Sequence, residues 1–217
     1  MNIPRTPIVS DSMKKQRLSR ITALWWGILV VLSGCASVPP THYYTFQPIP
    51  VIGRETPSSR YPASIGIEAY EAETPYQQDR IVFRKSPYEV NFYEYHRWLR
   101  PPAELVTDQV QKLLKVSGLF QQIQAYTYDS TPDYLLRGRI LLFDQWYNGK
   151  GSSVRIGIHY QFVELAQEQI LWSDVIETTA TVPTLNIVET VKGFESAVQE
   201  NISQALASID KVLAHKE

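Results

Sequence analysis

The sequence predicts an α+β fold: a mixed or mostly antiparallel sheet with two long helices packed on one face. Three observations carry this. Val154, Ile156, Ile158, Tyr160 and Phe162 alternate with Arg155, Gly157, His159 and Gln161, the period of two that a half-buried strand requires. Leu105, Val106, Val110, Leu113 and Leu114 share one stripe of a 3.6-residue period. Ile187, Val191, Phe194, Val198, Ile202, Leu206, Ile209 and Leu213 form a longer stripe of the same kind, and such a stripe needs a sheet to cover.

The elements follow in order. Residues 13–20, "MKKQRLSR", carry Lys14, Lys15, Arg17 and Arg20; Ile21–Leu32 then carries no charge. Those twelve residues reach only ~18 Å as a helix, short of a ~30 Å hydrocarbon core. A basic n-region, a short apolar h-region and small residues after it read as a secretory signal, with Met13 the expected true start. An uncleaved anchor helix is the alternative. The run ends on "LSGC": Leu32, Ser33, Gly34 and Cys35, the only cysteine. This matches the bacterial lipobox. The resemblance implies that the Cys35 thiol is alkylated with diacylglycerol, acting as thiolate, and that the peptide bond before it is cut. One cysteine cannot form an internal disulfide, and a lipid cap removes the hazard of an odd thiol. Each buried CH₂ contributes ~0.8 kcal/mol, so two or three palmitate-type chains hold where one does not. Ala36, where Asp commonly retains lipoproteins in the inner membrane, implies the outer membrane, facing the periplasm.

The expected organisation is a signal peptide over 1–34, a lipidated cysteine and proline-rich tether over 35–62, and a periplasmic α+β domain over 63–217. Within the tether "HYYTFQP" reads either as extended linker or as an edge strand. Strands are expected over Ser64–Tyr70, Asp79–Arg84 and Tyr88–Tyr95, the last with Val90 and Phe92 on one face. A helix follows over "PPAELVTDQVQKLLKVSG", with proline in its first turn and Gly118 at its C-cap. Then come a strand in "LFQQIQAY", a long strand ending at Asn148-Gly149, a tight-turn pair, its return over "SVRIGIHYQFVEL", and a third strand in "ILWSDVIETTAT". These last three form an antiparallel meander. The closing helix runs from Asn186 to about Leu213.

Residues 1–34 hold five Lys/Arg and one Asp, so the remaining 183 residues carry 16 basic and 21 acidic side chains, a net of −5. That length supports one domain with a real core. The acidic balance argues against a nucleic-acid partner and leaves membrane affinity to the tether. No catalytic set stands out. No two of His42, His96, His159 and His215 lie three to five residues apart, as a helical metal pair needs, so no metal or cofactor is expected. "GKGSS" lacks the first glycine of a phosphate loop and reads as a hairpin turn. Asn201 begins a glycosylation sequon in form but lies in a helix, and "GFESA" is no nucleophile elbow. The sequence is read as that of a non-enzymatic protein.

Pro75–Leu114 carries Pro75, Tyr76, Asp79, Arg80, Ile81, Val82, Arg84, Arg97, Trp98 and Pro101 in sequence, with "YYTF" upstream and "LLFD" downstream. This order resembles the auxiliary lipoproteins of ABC-type lipid transporters, which include the paraquat-inducible system lipoprotein and partners of MCE proteins. The resemblance implies a membrane-anchored, oligomeric component. It would dock an MCE-domain conduit at the outer membrane and support membrane lipid homeostasis. Tyr76, Asp79, Arg80, Arg84, Arg97 and Trp98 are the signature positions, with two readings. They fix structure, Asp79 pairing with Arg84 or Arg97 and Trp98 plugging the core, or they touch a partner. A lipoprotein that binds a lipid or hydrophobic ligand alone, through Trp146, Tyr147 and Trp172, is the alternative function.

Overall fold

One long strand organises the sheet. In the computed structural model, which describes residues 38–49, 59–147, 149, 151–184 and 186–216, β7 spans Tyr134–Tyr147. Every strand and helix among the described residues belongs to one compact unit, Thr41–Glu217. The lipobox, Leu32–Cys35, lies outside the described residues.

One edge of β7 pairs antiparallel with β8 (Ser152–Glu164), which pairs antiparallel with β9 (Gln169–Val182). This is the expected meander. The other edge is shared end to end by three parallel strands. β2 (Tyr61–Ile67) meets Tyr134–Leu136, β3 (Glu71–Ala72) meets Arg139–Ile140, and β4 (Arg80–Arg84) meets Asp144–Trp146. Outside β2 lies parallel β6 (Phe120–Ala125). Outside β4 lie antiparallel β5 (Asn91–Trp98) and then parallel β1 (His42–Tyr44). The sheet is therefore mixed.

Of the two readings of "HYYTF", the strand is the one formed. Phe46 is buried and meets Trp98 edge-on, so the body begins well before Ala63. The strand expected over Ser64–Tyr70 sits earlier, at Tyr61–Ile67, with a register shift between Tyr61 and Ser64. Pro62 falls in that shift, where a missing N–H costs no ladder bond. Tyr70 lies beyond the strand, with its ring across Gly138: a Cβ there would come within 2.0 Å of it. The strand expected at Tyr88 starts instead at Asn91. Val90 belongs to the β4–β5 turn, and does not share a strand face with Phe92.

Both helices pack into one core. α1 (Pro102–Ser117) begins with proline in its first turn and stops at Gly118, whose φ of 67° is the left-handed conformation a C-terminal cap favours. α2 (Ile187–Ala214) begins at Asn186, whose side chain accepts from the Val188 N–H. α1 buries Leu105, Val106, Val110 and Leu114, with Leu113 partly buried against the same core. α2 buries Val191, Phe194, Val198, Ile202, Ile209 and Leu213 against the sheet face of Ile156, Ile158, Tyr160 and Phe162. Asn201 sits inside this interface, fully buried. It accepts from the Tyr160 hydroxyl at 2.8 Å and donates to the Ile176 carbonyl at 2.8 Å, a position closed to a glycan.

Candidate functional site

The signature residues gather near the end of β7 where β4 joins it. A register shift between Ile140 and Leu142 sets the geometry. It reverses the alternation of β7, so that Phe143 stays with the core while Asp144 aligns with Arg155 of β8 and Val82 of β4. Such a bulge re-aims the side chains beyond it.

Asp144 is 0% exposed, so its charge must be met within the protein. Arg84 Nε donates to its Oδ2 at 2.7 Å. Arg155 donates to Oδ1 from Nη2 at 2.9 Å and from Nε at 3.1 Å. The Tyr76 hydroxyl donates to Oδ2 at 3.1 Å. Tyr76 itself is held by a single 3₁₀ turn, Thr74–Tyr76, with Pro75 at its start. Burial, and then the Asp144 charge, push the Tyr76 phenol above its ordinary value. For Arg84, burial acts to lower the pKa, but hydrogen bonds to Tyr76 and Asp144 outweigh it and leave it raised. The cluster is one carboxylate and two guanidiniums, so one positive charge is in excess. Arg155 also lies over the Trp146 ring, 4.3 Å from its centre, and keeps 32% of its side chain exposed.

The other signature residues separate into two groups. Asp79 accepts from Arg97 at 2.9 Å; Arg84, the other expected partner, goes to Asp144. Both members of this pair are about one-third exposed, so it contributes only ~0–1 kcal/mol. Its place matters more: the Asp79 carbonyl accepts from the Trp98 N–H at 2.7 Å. Arg80 stacks on Phe92 at 4.0 Å. Trp98 is 1% exposed and meets Phe46, Phe143 and Phe194 at steep angles. Burying ~150–250 Å² of aromatic surface contributes on the order of 4–6 kcal/mol, so Trp98 is the plug before α1.

Sequence reasoning missed the roles of Asp144, Arg155 and Gln145. Gln145 is also 0% exposed; it accepts from Tyr93 at 2.7 Å and donates to Ser152 at 2.9 Å. The available signal was two adjacent polar residues inside a strand otherwise rich in buried apolar side chains. The three aromatics proposed for a ligand are engaged: Trp146 under Arg155, Tyr147 hydrogen-bonded to Tyr93 at 2.6 Å, and Trp172 stacked on Tyr160. Two open depressions, of about 310 and 390 Å³, are present. The first is crossed by ion pairs from Arg137 to Glu68 at 2.9 Å and from Arg139 to Glu71 at 3.3 Å. Among the described residues no group of three His, Cys, Asp or Glu side chains is placed to hold a metal, and no helix is long and apolar enough to cross a membrane.

Solved structures share this architecture. A crystal structure of a Xanthomonas campestris protein of the DUF330 family superposes with a TM-score of 0.68 at 16% identity, covering 81% of this chain and 98% of that one. An uncharacterised protein gives 0.63 at 13%, covering 79% and 99%. A hypothetical protein from Chlamydia trachomatis gives 0.50 at 7%, covering 71% and 99%. At such identities the likeness is one of fold. No curated protein matches the chain. The family model for ABC-type transport auxiliary lipoprotein components matches residues 44–207. That span runs from β1 to within the last turns of α2 and takes in the whole Asp144 cluster, and the chain belongs to this family of lipoprotein components.

Proposed function

We propose that the mature protein is a lipid-anchored docking component of an MCE/ABC-type lipid transport system. Its acylated Cys35 holds it in the outer membrane, facing the periplasm. Its folded body receives the far end of an MCE-domain conduit reaching from an inner-membrane ABC transporter, and copies of the lipoprotein assemble around that end. The observation that carries this reading is the family match beginning at residue 44, directly behind a lipobox whose cysteine is the only one in the chain. Residues 1–34 are the signal removed on export.

The role is one of binding. The buried polar groups of the Asp144 cluster hold one another, and the two depressions described are open to solvent, the first of them crossed by ion pairs. The aromatics that pointed to a ligand are engaged with other side chains, so docking is favoured over solitary ligand binding. Crosslinking in intact cells followed by capture of the tagged lipoprotein is expected to recover an MCE-domain protein. Capture of the lipoprotein without any such protein, under crosslinking that does recover its own oligomers, refutes the assignment.

A further inference from the structure

The turn joining β4 to β5, Lys85–Val90, lies at the end of the sheet from which the chain enters β1, as does the end of β7 at Tyr147. β1 runs parallel to β5, with His42 beside His96. The chain entering β1 therefore arrives from the Asn91 end of β5, where this turn sits. Six residues lie between Cys35 and His42, and the seven steps from one to the other span at most about 25 Å. From His96 back to Asn91 is about 17 Å along the strand, and the turn extends several ångströms further. The reach of the tether and the distance to the turn are thus about equal. Whatever path those residues take, Cys35 stands no more than about 25 Å from His42, no farther than the turn does.

The turn suits that surface. Tyr88 is 96% exposed and Val90 37%, and Lys85 and Pro87 are exposed beside them. A tyrosine ring with its hydroxyl outward belongs at a headgroup boundary. Lys85 adds a cation for lipid phosphate, and the excess positive charge of the Arg84–Asp144–Arg155 cluster lies on the adjoining part of the sheet; Glu89 is the opposing charge in the turn itself.

Resting on the proposed acylation of Cys35, we infer that Lys85–Val90 is a second membrane contact, seated in the headgroup layer of the bilayer that holds the anchor. Tyr128 supplies the control. It is 100% exposed in the loop before β7, whereas β4 meets the far end of that strand, so roughly 45 Å of β7 separates the two ends. In the acylated full-length protein, Tyr88→Cys or Tyr128→Cys introduces the one free thiol, which takes an environment-sensitive fluorophore. The protein is placed in vesicles of phosphatidylethanolamine and phosphatidylglycerol containing lipids brominated on the acyl chain. Bromine quenching at position 88 is expected to exceed that at position 128 by about threefold or more, as an interfacial site requires, with a blue-shifted emission. Equal quenching at the two positions, with intact mass confirming acyl chains on Cys35, overturns this inference and leaves the anchor standing. An unmodified Cys35 by mass overturns both.

Discussion

Replacing Asp144 with asparagine tests whether the charge cluster holds the end of β7 together. Asparagine keeps the size and removes the charge. Two guanidiniums, Arg84 at 15% and Arg155 at 32% side-chain exposure, then face a buried amide in place of the carboxylate. Removing one partner of a buried ion pair costs about 3–5 kcal/mol, because the remaining charge is left uncompensated. For a domain of this size each kcal/mol moves Tm by ~2–4 °C, so Asp144→Asn is expected to lower Tm by roughly 6–20 °C. Asp79→Asn removes an ion pair that is one-third exposed and is expected to cost ~0–1 kcal/mol, at most a few degrees.

Circular dichroism on full-length protein in detergent, with both variants melted side by side, reads the contrast. Arg155→Leu alone is expected to fall between the two, since Arg84 and Tyr76 still donate to the carboxylate. A triple replacement, Asp144→Leu with Arg84→Met and Arg155→Leu, is expected to recover most of the loss, because apolar sets of similar volume often substitute for buried ion clusters. If Asp144→Asn and Asp79→Asn lower Tm equally, burial does not govern these ion pairs and the reasoning fails.

Three further outcomes are expected. Gly138→Ala drives a methyl into the Tyr70 ring, with its Cβ 2.0 Å from the nearest ring atom; overpacking of this kind costs about 1–3 kcal/mol, and a denaturant midpoint unchanged from wild type would show that the ring moves freely. Asn201→Ala leaves the Tyr160 hydroxyl and the Ile176 carbonyl without their partner, at about 1–3 kcal/mol for each buried group left unpaired; a loss no larger than that of Ser203→Ala, an exposed site on the same helix, refutes this. Burial and then His42 hold the His96 imidazole below its ordinary value, in a site where His42 and Tyr44 of β1 and Tyr93 of β5 face it. The folded state thus binds the proton less well than the unfolded chain. Stability is full above the unfolded pKa of ~6.5 and declines as pH falls through the lower folded value. The Tm drop between pH 7.5 and 5 is expected to shrink in His96→Gln, and an unchanged drop counts against the assignment.

The parts of this fold that the sequence reveals are those whose signal is periodic and local. The alternation from Val154 to Phe162 places β8, and each apolar member of it is buried. The stripes of α1 and α2 identify their core faces, and Gly118 and Asn186 mark a stop and a start through local backbone chemistry. What stays hidden depends on residues distant in sequence. Asp144 looks like a polar residue facing water until the shift between Ile140 and Leu142 and the pairing with β4 bring Arg84, sixty residues away, onto its carboxylate. The pairing of Asp79 with Arg97 was legible as one of two options because both flank one hairpin; that of Asp144 with Arg84 was not, because it crosses between parallel strands with two strands and a helix intervening. Trp98 was legible as a plug from its place before a proline-capped helix, but Phe46, which it packs against, lies behind a proline-rich segment that reads as linker. The extent of the body at its N-terminal side was obscured for the same reason: a three-residue strand gives too short a pattern to choose between strand and linker, and its partner, β5, lies far along the chain. The signature residues illustrate the general case. Their order along the chain points to a family, whereas their work in the molecule is set by which of them share a carboxylate.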